Sequence, residues 1–207
     1  MLQLQDYKIT YPDGLTLTYA DFHAPRDKLT ALFGRSGCGK TSLLESLCSP
    51  SFPGRVSGCA LLGGEPIPPP GPALYRRVSY CPQFSQAALN PKLTLQEHLR
   101  LVLRGNDIKP EKVKIETLLD QLRLERSLLS RRPGGLSGGQ QQRMVLLLCT
   151  VKAPELLILD EPSSAIDLIT LRDIADFLQK LKGKTTIIMV AHSRPLLERV
   201  ADLIVEL

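Results

Sequence analysis

Leu29-Thr30-Ala31-Leu32-Phe33-Gly34-Arg35-Ser36-Gly37-Cys38-Gly39-Lys40-Thr41-Ser42 sets a short apolar run directly against a glycine-rich turn that ends in lysine and threonine. The run 29–33 is continuous and bounded by a turn signal, which reads as a strand buried on both faces. Gly34 to Thr41 follows G-x-x-x-x-G-K-[ST] without a mismatch, and a helical pattern continues over 41–48. Strand, loop and helix in that order are the context the pattern requires. Such a turn points backbone N–H groups inward around phosphate oxygens, at the positive end of a helix. Gly34, Arg35, Ser36, Gly37, Cys38 and Gly39, with Ser42 just beyond, are therefore expected to cradle phosphates. Lys40 is expected to reach the β- and γ-phosphates as a point charge, and the Thr41 hydroxyl to ligate Mg²⁺. Cys38 contributes its backbone on this reading, a reactive thiol being the alternative.

Working outward, Leu156-Leu157-Ile158-Leu159-Asp160-Glu161-Pro162 is an apolar run that ends in two carboxylates. A buried strand ending in Asp delivers negative charge to the carboxyl edge of a sheet, where open α/β folds bind ligands. Asp160 suits a Mg²⁺ shell, and Glu161 suits polarising a water that attacks the γ-phosphate. Further strands are expected over 78–80 and 186–190, and helices over 95–103, 112–122, 139–151 and 168–181. This alternation predicts an α/β fold, a P-loop NTPase core with a mostly parallel sheet. The first sixty residues differ, with strands expected over 2–7, 15–20 and 56–62 forming an antiparallel β portion. Pro66-Ile67-Pro68-Pro69-Pro70-Gly71-Pro72 reads as an irregular surface loop. The span 84–135 is mostly helical and is expected to be a subdomain inserted into the α/β core of a single domain covering 1–207.

Composition narrows the function classes. Apolar residues make up 43% and charged residues 23% of 207, which is ordinary for a globular chain. The longest apolar run, over 144–151, is far short of the roughly 18–20 residues a membrane span needs. The start Met1-Leu2-Gln3-Leu4-Gln5-Asp6 lacks the basic and apolar regions of a signal peptide. A net charge of +5 is spread without basic runs interleaved by aromatics, so no nucleic-acid partner is expected. Cysteines at 38, 48, 59, 81 and 149 have no metal or redox spacing and are expected to be reduced.

Leu136-Ser137-Gly138-Gly139-Gln140 precedes the helical pattern over 139–151, with Ser137 placed to cap it. Two glycines at a helix start make a second anion site, which one ATP bound to one loop does not need. With this pentapeptide ahead of Asp160-Glu161 and behind the phosphate loop, the chain resembles the nucleotide-binding domain of the ABC transporter superfamily. The resemblance covers nearly the whole chain. It implies two domains paired head to tail, with Ser137, Gly138, Gly139 and Gln140 closing over ATP held by the partner. It implies ATP hydrolysis with Glu161, His192, Gln83 and Lys40 as the catalytic set, and Mg²⁺ held by Thr41, Gln83 and Asp160. Tyr11 sits at the spacing of the aromatic that stacks on adenine, a strand-face tyrosine being the alternative. Ser164-Ala165-Ile166-Asp167 resembles the loop that crosses the dimer interface, placing Asp167 near the nucleotide. His192 resembles the histidine that senses the γ-phosphate.

The partners implied are a second ATP-binding subunit (the same chain or a sister), two integral-membrane permeases and, for an importer, an extracytoplasmic substrate-binding protein. The chain would then be peripheral on the cytoplasmic face of the membrane. Cys81-Pro82-Gln83-Phe84-Ser85-Gln86-Ala87-Ala88-Leu89-Asn90-Pro91, continued by Leu93-Thr94-Leu95 and Glu97, is similar to the same region of peptide and nickel importers. Arg131-Arg132-Pro133-Gly134-Gly135 departs from the Tyr-Pro-His lead-in of that branch. The expected function is ATP-driven import of peptides or metal complexes. An exporter motor, or a soluble ATPase of translation or DNA repair, is the alternative.

Overall fold

The computed structural model describes residues 1–84, 88–110, 113, 115–162, 167–191 and 194–207. In chain order the elements are β1 (Leu2–Thr10), β2 (Thr16–Thr18), β3 (Phe22–Ala24), β4 (Leu29–Phe33), α1 (Lys40–Ser46), β5 (Arg55–Leu62) and β6 (Glu65–Pro66). There follow α2 (Pro72–Arg77), β7 (Val78–Cys81), α3 (Leu95–Gly105), α4 (Ile115–Gln121), α5 (Gly138–Thr150), β8 (Leu156–Asp160), α6 (Leu168–Leu181), β9 (Thr186–Val190), α7 (Arg194–Val200) and β10 (Leu203–Glu206). Short 3₁₀ turns lie at Arg126–Ser130 and Pro133–Gly135.

The apolar runs form one sheet, ordered β10-β4-β9-β8-β7, in which every neighbouring pair is parallel. β8 and β9 are buried along their whole length, as a parallel sheet covered on both faces requires. Successive side chains alternate between two apolar clusters. Leu157, Leu159, Ile187 and Met189 face a cluster built with α3, α5 and α6, including Phe177 and Met144. Leu156, Ile158, Ile188 and Val190 face a second cluster with Leu2, Leu4, Ile9 and the α1 residues Leu43 and Leu44. Each fully buried side chain of this size contributes about 1.5–3 kcal/mol, so the parallel sheet is held between two apolar layers.

The N-terminal strands pair antiparallel as expected, β1 lying between β2 and β5 with β3 also against β1. The proline segment differs from its reading as wholly irregular. Pro66 ends β6, paired with Leu61, and Pro72 opens α2. Proline is suited to a first helical position because the N–H it lacks has no partner there and its φ is already helical. The short strand β3 and the helix α7 also went unread. Three residues give too few alternations to register a period, and α7 is only two turns long.

The sheet is parallel, so β4, β7, β8 and β9 all end at one edge. That edge carries the glycine-rich turn after β4, Gln83 after β7 and Asp160-Glu161 at the end of β8.

Candidate functional site

The loop after β4 is shaped by two glycines in the left-handed region, Gly37 at φ 82° and Gly39 at φ 95°. At Gly39 a Cβ would also lie 2.7 Å from the Tyr19 hydroxyl and 2.8 Å from Leu17, so a side chain is excluded by space as well as by backbone. The Tyr19 hydroxyl donates to the Gly39 carbonyl at 2.8 Å, pinning the loop to the N-terminal β layer. The loop's lysine is buried at 6% exposure, and its Nζ donates to the carbonyls of Gly34 (2.9 Å) and Arg35 (2.8 Å), with Cys38 Sγ at 3.6 Å. The ammonium of Lys40 is thus inside the loop, where a bound phosphate would compete with the carbonyls for it.

Across the sheet edge, the Thr41 hydroxyl donates to Asp160 Oδ1 at 3.2 Å and the Tyr80 hydroxyl to Asp160 Oδ2 at 3.2 Å. Burial pushes the Asp160 carboxyl above its ordinary range, the donors from Thr41 and Tyr80 pull it back, and the neighbouring Glu161 charge pushes it up again. Burial, followed by the Asp160 charge, raises the Tyr80 phenol and keeps it a donor. Tyr80 was not among the residues singled out from sequence, since no local pattern says which β7 side chain faces β8. Glu161 adopts φ 46°, an uncommon left-handed backbone for a residue with a Cβ, while its N–H still bonds to the Val190 carbonyl at 2.9 Å. That turn brings its Oε2 to the Gln83 amide, which donates at 2.7 Å.

The raised carboxyl at Asp160 makes a stability prediction. A buried group whose folded pKa lies above its unfolded value costs nothing while protonated in both states. It becomes destabilising as pH rises through the folded value. Asp160→Asn should therefore raise the melting temperature at pH 7–8 without nucleotide or magnesium, with the gain vanishing toward pH 4. If Asp160 serves as a Mg²⁺ ligand, the same variant should also lose Mg²⁺-dependent ATP turnover by about 10²-fold or more. An unchanged melting temperature at pH 8 counts against the burial cost assigned to Asp160.

A cleft of about 650 Å³ joins these groups, lined by Ser36, Gly37, Gly39, Lys40, Thr41, Ser42, Gln83 and Glu161. Its other wall is Tyr11, Asp13, Leu15 and Leu17 from the β1–β2 hairpin. Tyr11 donates its hydroxyl to Ser42 Oγ at 2.8 Å, and its ring meets Phe52 edge-on at 5.9 Å. Asp13, Leu15 and Leu17 were missed from sequence because a hairpin, not a motif, carries them to the loop. The cleft grades from glycines, lysine and hydroxyls to an aromatic and leucines, which fits a nucleotide with its phosphates at one end and its base at the other. The Thr41 hydroxyl and Asp160 carboxylate are hard oxygen donors suited to Mg²⁺, which typically takes few protein ligands and shares phosphate oxygens. Among the described residues no cluster of three or more His, Cys, Asp or Glu competes for that role.

Other expected site residues lie elsewhere. Arg35 is exposed at the loop, and Gly34 and Cys38 support Lys40 without lining the cleft. Ser137, Gly138, Gly139 and Gln140 line no part of it. Instead they start α5 through a reciprocal cap, Gln140 N–H to Ser137 Oγ at 3.2 Å and Ser137 N–H to Gln140 Oε1 at 3.0 Å. Asp167 caps α6 and also lies outside the cleft. His192, together with Ser164, Ala165 and Ile166, falls outside the described residues.

Comparison with known proteins agrees with this fold. The ABC transporter family profile matches residues 17–164. The phosphate import ATP-binding protein PstB of Corynebacterium efficiens is 33% identical over 97% of this chain and 82% of its own length. That of Mycolicibacterium paratuberculosis is 34% identical over 91% and 80%. A solved ATP-binding subunit of an ABC transporter superposes with a TM-score of 0.87 at 26% identity, covering 100% of this chain and 85% of its own. An ATP-binding cassette solved as a dimer with ADP and Pi shares the fold, with a TM-score of 0.83 at 23% identity over 100% and 94%. These relatives, named for phosphate import, give no support to the peptide and nickel expectation, and the likeness over Cys81 to Pro91 is a short local one. The chain belongs to the ABC transporter family, as one of its ATP-binding, ATP-hydrolysing domains.

Proposed function

We propose that this chain is the motor of an importer, working as a head-to-tail pair of ATP-binding subunits beneath two membrane-spanning permeases. The observation that carries the pairing is the separation of two anion-binding elements. The Lys40 loop lines the cleft, whereas the capped helix start at Ser137 opens elsewhere on the same chain. Pairing two copies lets each Ser137–Gln140 turn close over the nucleotide in the partner's cleft. Leu168 and Ile169, 83% and 73% exposed beside Asp167, support an interface there.

Within the cleft, Lys40 binds the β- and γ-phosphates, while Thr41 and Asp160 would hold Mg²⁺, which would supply charge neutralisation to the phosphates. Gln83 orients the Glu161 carboxylate through the 2.7 Å bond, and Glu161 polarises the attacking water. Gln83 is assigned, with Glu161, to the side of the cleft where Mg²⁺ and that water would sit. Tyr11 packs against the base, and His192 is assigned to sensing the γ-phosphate.

Among the described residues no helix is long and apolar enough to cross a membrane, so translocation is left to the permeases. The chain is then peripheral on the cytoplasmic face, where ATP is supplied. The relatives' names make inorganic phosphate the first cargo to test, with an extracytoplasmic phosphate-binding protein as the further partner. The test is to tag the chain in its native cell, solubilise membranes gently and identify what co-purifies, then reconstitute the complex in vesicles. Two multi-spanning permeases and ATP-driven phosphate entry support the proposal. Ribosomal or DNA-repair partners without a permease overturn it, and outward movement of cargo replaces importer by exporter.

A further inference from the structure

The start of α5 packs closely against the start of α6, and an enclosed ion pair, Arg143–Asp173, joins the two helices one turn further in. A Cβ on Gly139 would stand 2.5 Å from Thr170 Oγ1 and 3.1 Å from its Cγ2, so this glycine is where α6 comes closest to the Ser137–Gln140 turn. Thr170 is 4% exposed. Its N–H donates to Asp167 Oδ1 at 2.8 Å and its hydroxyl to Asp167 Oδ2 at 2.9 Å. These two donors, the backbone one first, hold the Asp167 carboxyl below its usual range. One turn along α5, Arg143 donates through Nε to the Gly139 carbonyl at 3.3 Å and through its terminal nitrogen to Asp173 Oδ2 of α6 at 2.9 Å. That ion pair is itself enclosed, with side chains 14% and 3% exposed. Arg123 faces the other Asp173 oxygen at 2.8 Å as an ion pair without hydrogen-bond geometry.

We propose that Thr170 is a positioning residue that locks the Ser137–Gln140 turn and Asp167 into one rigid surface, so that both meet the partner copy's nucleotide together. The inference rests on the head-to-tail reading given above. Its physical content is preorganisation: two segments already ordered against each other lose less freedom when the partner docks. Gly139 makes room for Thr170, and the Thr170 hydroxyl holds Asp167, so one side chain touches both segments. Arg143 and Asp173 fix the two helices one turn further in, which keeps Thr170 from following only one of them.

The test uses the full chain with Thr170→Val, which removes the hydroxyl but keeps the shape and the backbone N–H, and Thr170→Ser, which keeps the hydroxyl. Thr170→Ala removes the same donor while relieving the crowding at Gly139, and serves if the valine variant does not fold. Turnover is measured at saturating ATP. ATP affinity is titrated at a dilution where the chain is monomeric. ATP-driven dimerisation is followed by sedimentation in a Glu161→Gln background. The valine and alanine variants should lose roughly tenfold in turnover and in dimer affinity, about the worth of one hydrogen bond. Monomer ATP affinity should be unchanged, and serine should restore both losses. Wild-type turnover and dimerisation in folded Thr170→Val overturn the inference alone, as do equal losses in the valine and serine variants. Absence of an ATP-dependent dimer in Glu161→Gln itself overturns the head-to-tail reading, and this inference with it.

Discussion

Glu161→Gln is expected to lower ATP turnover by about 10²–10⁴-fold, the usual contribution of a positioned general base, while ATP binding is kept. The substitution is nearly isosteric, and its amide oxygen can still accept from Gln83 Nε2, which reaches Glu161 at 2.7 Å. The left-handed backbone at φ 46° and the N–H bond to Val190 do not depend on the side-chain charge. What disappears is the carboxylate proposed to polarise the attacking water. ATP should then be held without being spent, and the variant should accumulate as a nucleotide-bound species measurable by filter binding alongside phosphate release. Brisk phosphate release from this variant would remove Glu161 from the chemical step and move the search for a base to other groups at the sheet edge.

Lys40→Ala is the complementary prediction, an effect on binding. Its ammonium is buried within the loop and already bonded to the Gly34 and Arg35 carbonyls at 2.9 and 2.8 Å, so it is pre-placed where phosphates approach. Truncating one partner of a buried, hydrogen-bonded charge pair typically costs about 2–5 kcal/mol. A loss of ATP affinity on the order of 10²-fold or more follows, readable by titration of a fluorescent nucleotide, with melting temperature as the control for loop collapse. Unchanged affinity would contradict the phosphate-loop assignment. Together the two variants separate holding the nucleotide from cleaving it.

Much of the site could be read in advance because its parts are contiguous in the chain. A strand, a glycine turn and a lysine at a helix start are one local object: β4 formed over its expected range, and α1 began one residue early and ended two residues short of the range expected. The carboxylates at the end of β8 belong to the same kind of object, a buried run that stops at charge. β9 and α6 also matched their expected ranges, each having a strong period and clear boundaries. Where the pattern was weak or short, as at β3, α7 and the helix opening at Pro72, local reading failed.

From residues alone, then, came the parts and their proposed roles: a glycine-rich loop with its lysine, two carboxylates ending a buried strand, and a capped helix start. Only the tertiary structure decided how they combine. It ordered the strands β10-β4-β9-β8-β7, which brings Tyr80 and Thr41 to opposite oxygens of Asp160. It folded the β1–β2 hairpin over the loop as the far wall of the cleft. It also placed Thr170 against Gly139, far along the chain, so that two motifs share one surface. The reason is physical: periodicity and turn chemistry act over a few residues, whereas these contacts arise from close packing between elements that no local pattern relates.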